Sequence, residues 1–147
     1  MAHWLVKSDP DDYSAADLER DGRTVWDGVR NALAQRHLRN MRPGDEVLLY
    51  HTGAEKAVVA RATVVGTPRA AADRTGVTVE LEFAGWLSRP VPLAEIKADP
   101  ALAGLALVRQ GRLSVMPVTA DEWRRLVAGG AAPQDVTAPR TRKRGRR

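Results

Sequence analysis

Residues 46–65 read Glu46-Val-Leu-Leu-Tyr-His-Thr52, then Gly53-Ala-Glu-Lys56, then Ala57-Val-Val-Ala-Arg-Ala-Thr-Val-Val65. Two runs rich in β-formers flank a short link with turn chemistry, which reads as a hairpin. On its C-terminal side Val77, Val79, Leu81 and Phe83 alternate with Thr78, Glu80 and Glu82, a strand with one wet face. His3–Lys7 reads as another short strand, and Leu113-Ser114-Val115 as one closed by Pro117. Helical segments fall between these runs. Ser14 caps one that runs to about Arg20, with Asp17 placed to suit the helix dipole. A second runs from about Val29 to Met41, where Val29, Leu33, Leu38 and Met41 lie near one face. Short helical turns are expected at Pro92–Ile96 and Ala101–Leu105. The capping box Thr119-Ala-Asp-Glu122 opens a last helix to about Val127, with Gly129-Gly130 ending it. Residues 24–28 and 66–76 are expected as loops. Four or five strands interrupted by helices give an α+β class, built as a small mixed barrel.

The 147 residues fit one domain and can bury a core. Hydrophobic residues make up 44% and charged residues 28%, a globular composition. No apolar run reaches the roughly 18 residues a membrane helix needs. No basic segment followed by an apolar stretch opens the chain, so no secretory signal is read and a cytoplasmic location is expected. With no cysteine there is no disulfide, thiol nucleophile or Cys-based zinc site. The net charge of +5 is concentrated at one end: Arg140, Arg142, Lys143, Arg144, Arg146 and Arg147 fill six of the last eight positions. Without them 17 Lys+Arg face 18 Asp+Glu, so residues 1–139 are electrically balanced. A folded unit over residues 1–130 and a disordered basic tail over 131–147 are expected. Such a tail can act as a phosphate-binding arm of no sequence preference, or simply as a solvated end.

The motifs of common enzymes are missing. His3, His37 and His51 form no zinc-binding pair, no phosphate-binding lysine loop or dinucleotide glycine fingerprint occurs, and no serine sits in Gly-x-Ser-x-Gly. Asp9, Asp11 and Asp12 could in principle hold Mg²⁺ but read first as a turn. No catalytic residue, metal or cofactor is expected.

Four of the seven aromatic residues are Trp. Trp86 and Trp123 read as rim or core packing. Trp26 differs, because it stands in the polar run Thr24-Val25-Trp26-Asp27-Gly28, followed by Arg30 and Asn31. An indole beside an amide and a guanidinium can stack a planar heterocycle and hydrogen-bond its edge. The alternative is that Trp26 plugs one end of the barrel. Tyr50-His51-Thr52 at a strand end and Arg109-Gln110-Gly111-Arg112-Leu113-Ser114 are two further polar clusters. Arg30 and Asn31 open a helix, where backbone N–H groups favour an anion or acceptor.

In order and spacing, Trp4-Leu-Val-Lys-Ser-Asp-Pro10, Trp26-Asp-Gly-Val-Arg-Asn31, Leu38-Arg-Asn-Met41 with Gly44-Asp45, Tyr50-His-Thr52 and Arg109-Gln-Gly-Arg-Leu-Ser-Val115 with Pro117 resemble the EVE domain. That family is a branch of the PUA-like superfamily related to YTH and ASCH domains. The likeness spans residues 3–127. The chain departs from the family pattern at Asp9, where Glu is usual, at Gln35-Arg36-His37, where Ala-Arg-Asn is usual, at Thr52, where Ser is usual, and at 66–73, where a Tyr-Pro-Asp segment is lacking. The resemblance implies a β-barrel of five to six strands flanked by helices, and a pocket for a flipped, modified base of DNA or RNA. Trp26, Asn31, His51, Ser8, Thr52 and Tyr50 are then the expected base pocket, with Trp26, Asn31 and His51 converging on one cleft. Arg30, Lys7, Arg109 and Arg112 are expected to hold backbone phosphates, which position without specifying. Nucleic acid is the expected partner, with no membrane association and a monomeric chain. Two other readings stay open: a small-molecule or nucleotide sensor using the same pocket, and a nucleic-acid hydrolase using Asp9, Asp12 or His51.

Overall fold

Val47–His51 are buried without a break, as a strand covered on both faces must be. In the computed structural model, which describes residues 1–71 and 76–131, this run is β3 (Glu46–His51). It pairs antiparallel with β4 (Ala57–Val64) and parallel with β1 (His3–Ser8). A parallel pair needs a long crossover, and residues 9–45 supply it. They carry α1 (Ala15–Asp21), β2 (Arg23–Trp26) and α2 (Ala32–Arg39). Then come β5 (Arg69–Ala70), β6 (Val77–Pro92), α3 (Leu93–Ala98), a 3₁₀ turn at Pro100–Leu102, α4 (Ala106–Arg109), β7 (Val115–Val118) and α5 (Ala120–Ala131).

The strands lie in the order β2-β6-β4-β3-β1-β7, with β5 attached to β6. Among the described residues β2 and β7 are the two ends and do not pair, so the sheet is open. The expected closed barrel is corrected to a seven-stranded mixed sheet with helices on both faces. Trp4, Val6 and Ser8 point to one face, where the Trp4 ring lies 6.0 Å from His37 of α2. His3, Leu5 and Lys7 point to the other, where His3 meets Trp123 of α5 at 4.7 Å between ring centroids.

The capping box read at Thr119/Glu122 forms, and the cap read at Ser14 is reciprocal as well, because Asp17 Oδ2 accepts the Ser14 N–H at 2.9 Å. Other boundaries differ from expectation. Residues 23–26 are a strand rather than a loop, paired with β6 from Arg23↔Glu82 to Trp26↔Val79. The second helix begins at Ala32, because Asn31 caps it by accepting the Ala34 N–H at 2.9 Å. β6 continues past Phe83 to Pro92. α5 passes through Gly129-Gly130, where the glycines serve close packing. A Cβ on Gly130 would lie 2.8 Å from a Leu87 methyl, and the Gly129 carbonyl accepts a hydrogen bond from Arg89 at 2.8 Å. The expected basic tail lies, from residue 132 on, outside the described residues. None of the described helices is long and apolar enough to cross a membrane.

Candidate nucleic-acid interface

The site lies where β1 and β3 end side by side. Lys7 is the register partner of Tyr50, and Ser8 of His51. Neighbouring residues on a strand project to opposite faces, so these two pairs face apart. Tyr50 therefore does not share a pocket wall with Ser8 and His51, which corrects the expected grouping.

On the face of Ser8 and His51 the polar atoms are already engaged. The Ser8 hydroxyl donates to the Tyr13 carbonyl, and the Thr52 N–H donates to the Ser8 carbonyl at 2.9 Å. His51 is 6% exposed. Its Nε2 accepts the Ala15 N–H at 3.0 Å, which requires that nitrogen to be unprotonated. The proton therefore sits on Nδ1 and is donated to Glu55 Oε1 at 2.7 Å. Trp26 ends β2 at 8% exposure and meets the Tyr13 ring edge-on, 6.4 Å between centroids at 82°. Ser8, His51 and Trp26 thus converge through the Tyr13–Ala15 segment, as one packed cluster.

On the face of Lys7 and Tyr50 the Lys7 ammonium lies over the Tyr50 ring, 5.7 Å from its centroid, and donates to the Gly111 carbonyl at 2.8 Å. Burial holds the Lys7 pKa below the usual lysine range and pushes the Tyr50 hydroxyl up. Gly111 leads to an open depression of about 260 Å³ lined by Asn31, Leu33, Gln110, Gly111, Arg112 and Leu113. Asn31 Oδ1 is committed to the helix cap, so its amide nitrogen is the end that can donate outward. Arg30, Arg109 and Arg112 are all exposed. Of the expected base-pocket residues only Asn31 lines this depression, and its described lining holds no aromatic ring. The lining role of Leu33 and Gln110, and the support given by Tyr13, Ala15 and Glu55, escape the sequence reading. Gln110 does lie inside the cluster singled out at 109–114, and Asn31 carries a legible capping signal.

Residues 2–128 match the EVE domain family. Human thymocyte nuclear protein 1 is 29% identical over 160 aligned positions, covering 83% of this chain and 71% of its own length. A protein of Rhodopseudomonas palustris solved by NMR is 38% identical with a TM-score of 0.83, over 88% of this chain and 93% of its own. The crystal structure of the human THYN1 protein in complex with 5-methylcytosine-containing DNA is 26% identical with a TM-score of 0.81, over 88% of this chain and 98% of its own.

Proposed function

This chain belongs to the EVE domain family, and we propose that it is a nucleic-acid-binding module whose depression at Asn31 and Arg112 takes one extruded, modified base. The observation that carries this reading is the meeting of a helix-capping amide, two arginine-bearing segments and a half-buried lysine around one small concavity. Its volume of about 260 Å³ falls below the roughly 300–1,000 Å³ of a drug-sized ligand site, which suits a single base. Leu33 and Leu113 supply apolar wall, and the Arg112 guanidinium supplies a plane on which a base can stack. The Asn31 amide nitrogen donates to the base edge. Arg30, Arg109 and Lys7 hold the flanking phosphates. Trp26, Ser8, Thr52 and His51 serve as scaffold around the Tyr13–Ala15 segment, and Tyr50 carries Lys7. A methyl group against the leucines gives a preference of about 1–3 kcal/mol over the unmodified base. The basic residues at 140–147 add an attraction that ignores base identity. The DNA complex of the human THYN1 protein supports DNA carrying 5-methylcytosine as the first ligand to try.

The experiment is a titration of the full chain with short duplexes carrying cytosine or one 5-methylcytosine, across a salt series. Binding should weaken with salt by about 0.9 log units per decade for each phosphate contacted, and the methylated duplex should bind more tightly. Failure to bind either duplex at low salt rejects the reading. Salt-insensitive binding of a free nucleoside, with none of the polymer, replaces it with a small-molecule sensor.

A further inference from the structure

The loop from Asp27 to Asn31 carries two residues of the proposed site, yet it belongs to no helix or strand. Its anchor is Gln35, a buried polar residue at 6% exposure on the sheet side of α2. The Gln35 Nε2 donates to the Val29 carbonyl in that loop at 2.7 Å and to the Val77 carbonyl at 3.2 Å. Its Oε1 accepts the Val77 N–H at 2.8 Å. One carboxamide thus joins the loop to the first residue of β6. Gly76 makes room for it: a Cβ there would overlap the Gln35 carboxamide, and the φ of +154° lies in the region that favours glycine. A buried amide is costly unless every polar atom is paired, and here both ends are paired across the loop and the sheet.

We propose that Gln35 is a positioning residue of the nucleic-acid site: its carboxamide fixes the 27–31 loop against β6, and so sets where Arg30 and Asn31 present themselves to the ligand. The inference rests on the functional reading above and deepens it. Gln35 itself is inside the protein and touches no ligand. Its effect reaches the ligand through the Val29 carbonyl, one residue from Arg30 and two from Asn31.

The test uses the full chain and a short duplex with one 5-methylcytosine, in a salt series. Q35M keeps the side-chain volume and removes all three hydrogen bonds. It should bind roughly eightfold more weakly at about 0.1 M salt, with a slope shallower by about 0.9, the signature of one lost phosphate contact. R30A should do the same, and Q35M in the R30A background should add no further change in slope. A variant that merely unfolds in part lowers the active fraction and leaves the slope untouched, so the slope separates positioning from stability. If Q35M does not fold, Q35E keeps an acceptor for the Val77 N–H while losing the donation to Val29, and the same shallower slope is expected. Wild-type affinity and slope in the folded variant, or an effect that multiplies independently with R30A, overturns the role of Gln35 and leaves the functional reading standing. If the unaltered chain binds no duplex, the functional reading falls and this role falls with it.

Discussion

Two polar regions flank the ends of β1 and β3, and they are built on opposite plans. Around Ser8 and His51 every polar atom described above has a protein partner, and Trp26 seals the cluster against Tyr13. Around Asn31 and Arg112 the polar side chains are exposed and border a hollow, with Arg30 and Arg109 close by in the chain. A buried polar group is stable only when paired, and once paired it has little left for a ligand. On the proposed function, the contrast divides scaffold from interface among residues that look equally functional in a sequence.

The strongest way to break this division is Trp26→Ala. As scaffold, Trp26 should cost about 3–5 kcal/mol of unfolding free energy when truncated. If denaturant titration instead shows unchanged stability while oligonucleotide affinity drops by about 1–3 kcal/mol, Trp26 stacks on the base directly and the division is wrong.

Asp45→Ala comes next, at about 2–3 kcal/mol, because hydrogen bonds to a charged acceptor are among the stronger ones. The Asp45 carboxylate accepts from Trp4 Nε1 at 2.9 Å, the Arg42 N–H at 3.0 Å and the Ala2 N–H at 3.1 Å. Burial by itself would raise its pKa, but these donors outweigh burial and hold it below the usual aspartate range. A lowered folded-state pKa means the stabilisation is complete above the unfolded value near 4 and is lost as pH falls through the folded value. The wild-type chain should therefore lose stability more steeply below about pH 4 than the Asp45→Ala variant. Parallel pH profiles for the two would show that this carboxylate is not the group responsible.

His51→Leu sharpens the comparison within the cluster. It strips the Ala15 N–H of its acceptor, so a loss of about 1–2 kcal/mol in stability is expected with DNA affinity retained in the folded protein. A lost preference for the methylated base, at unchanged stability, would move His51 into the interface.

Arg112→Ala should be the mildest in energy. It lies on the surface, so stability should stay within about 0.5 kcal/mol, while affinity falls roughly eightfold, near the low end of the about 1–3 kcal/mol that a stacked base contributes. Equal binding by this variant would empty the depression of its role.

Much of the sheet is legible because its signals are local. The runs at 46–52, 57–65 and 77–83 and the helix caps at Ser14 and Thr119 require only neighbours in sequence. What escapes depends on distant partners. Residues 23–26 become a strand because Val79–Glu82 lie alongside, and four residues carry too little pattern to announce it. The end of β6 hides behind Gly85, Pro90 and Pro92. Gly129-Gly130 looks like a helix stop, and only Leu87 across the interface shows why α5 continues. The site divides in the same way. Asn31, Arg112 and Lys7 belong to readable motifs, whereas the engagement of His51 by Ala15, 36 positions away, and of Gln35 by Val77, 42 positions away, is written in the fold alone.

Pro117 sits inside β7, opposite Trp4, at one end of the open sheet. The Lys7 N–H donates to the Ser114 carbonyl. Counting along the antiparallel ladder from that bond, Trp4 and Pro117 form a pair that exchanges no hydrogen bonds. The N–H that proline lacks would therefore have pointed away from β1, toward solvent. The proline removes a donor from the free edge and none from the ladder, so a stray strand finds one fewer donor to zip onto. At the opposite end β2 is only four residues long and bears Arg23, another poor template. A sheet left unclosed is thus guarded against aggregation at both margins, by a missing hydrogen at one and by brevity and charge at the other.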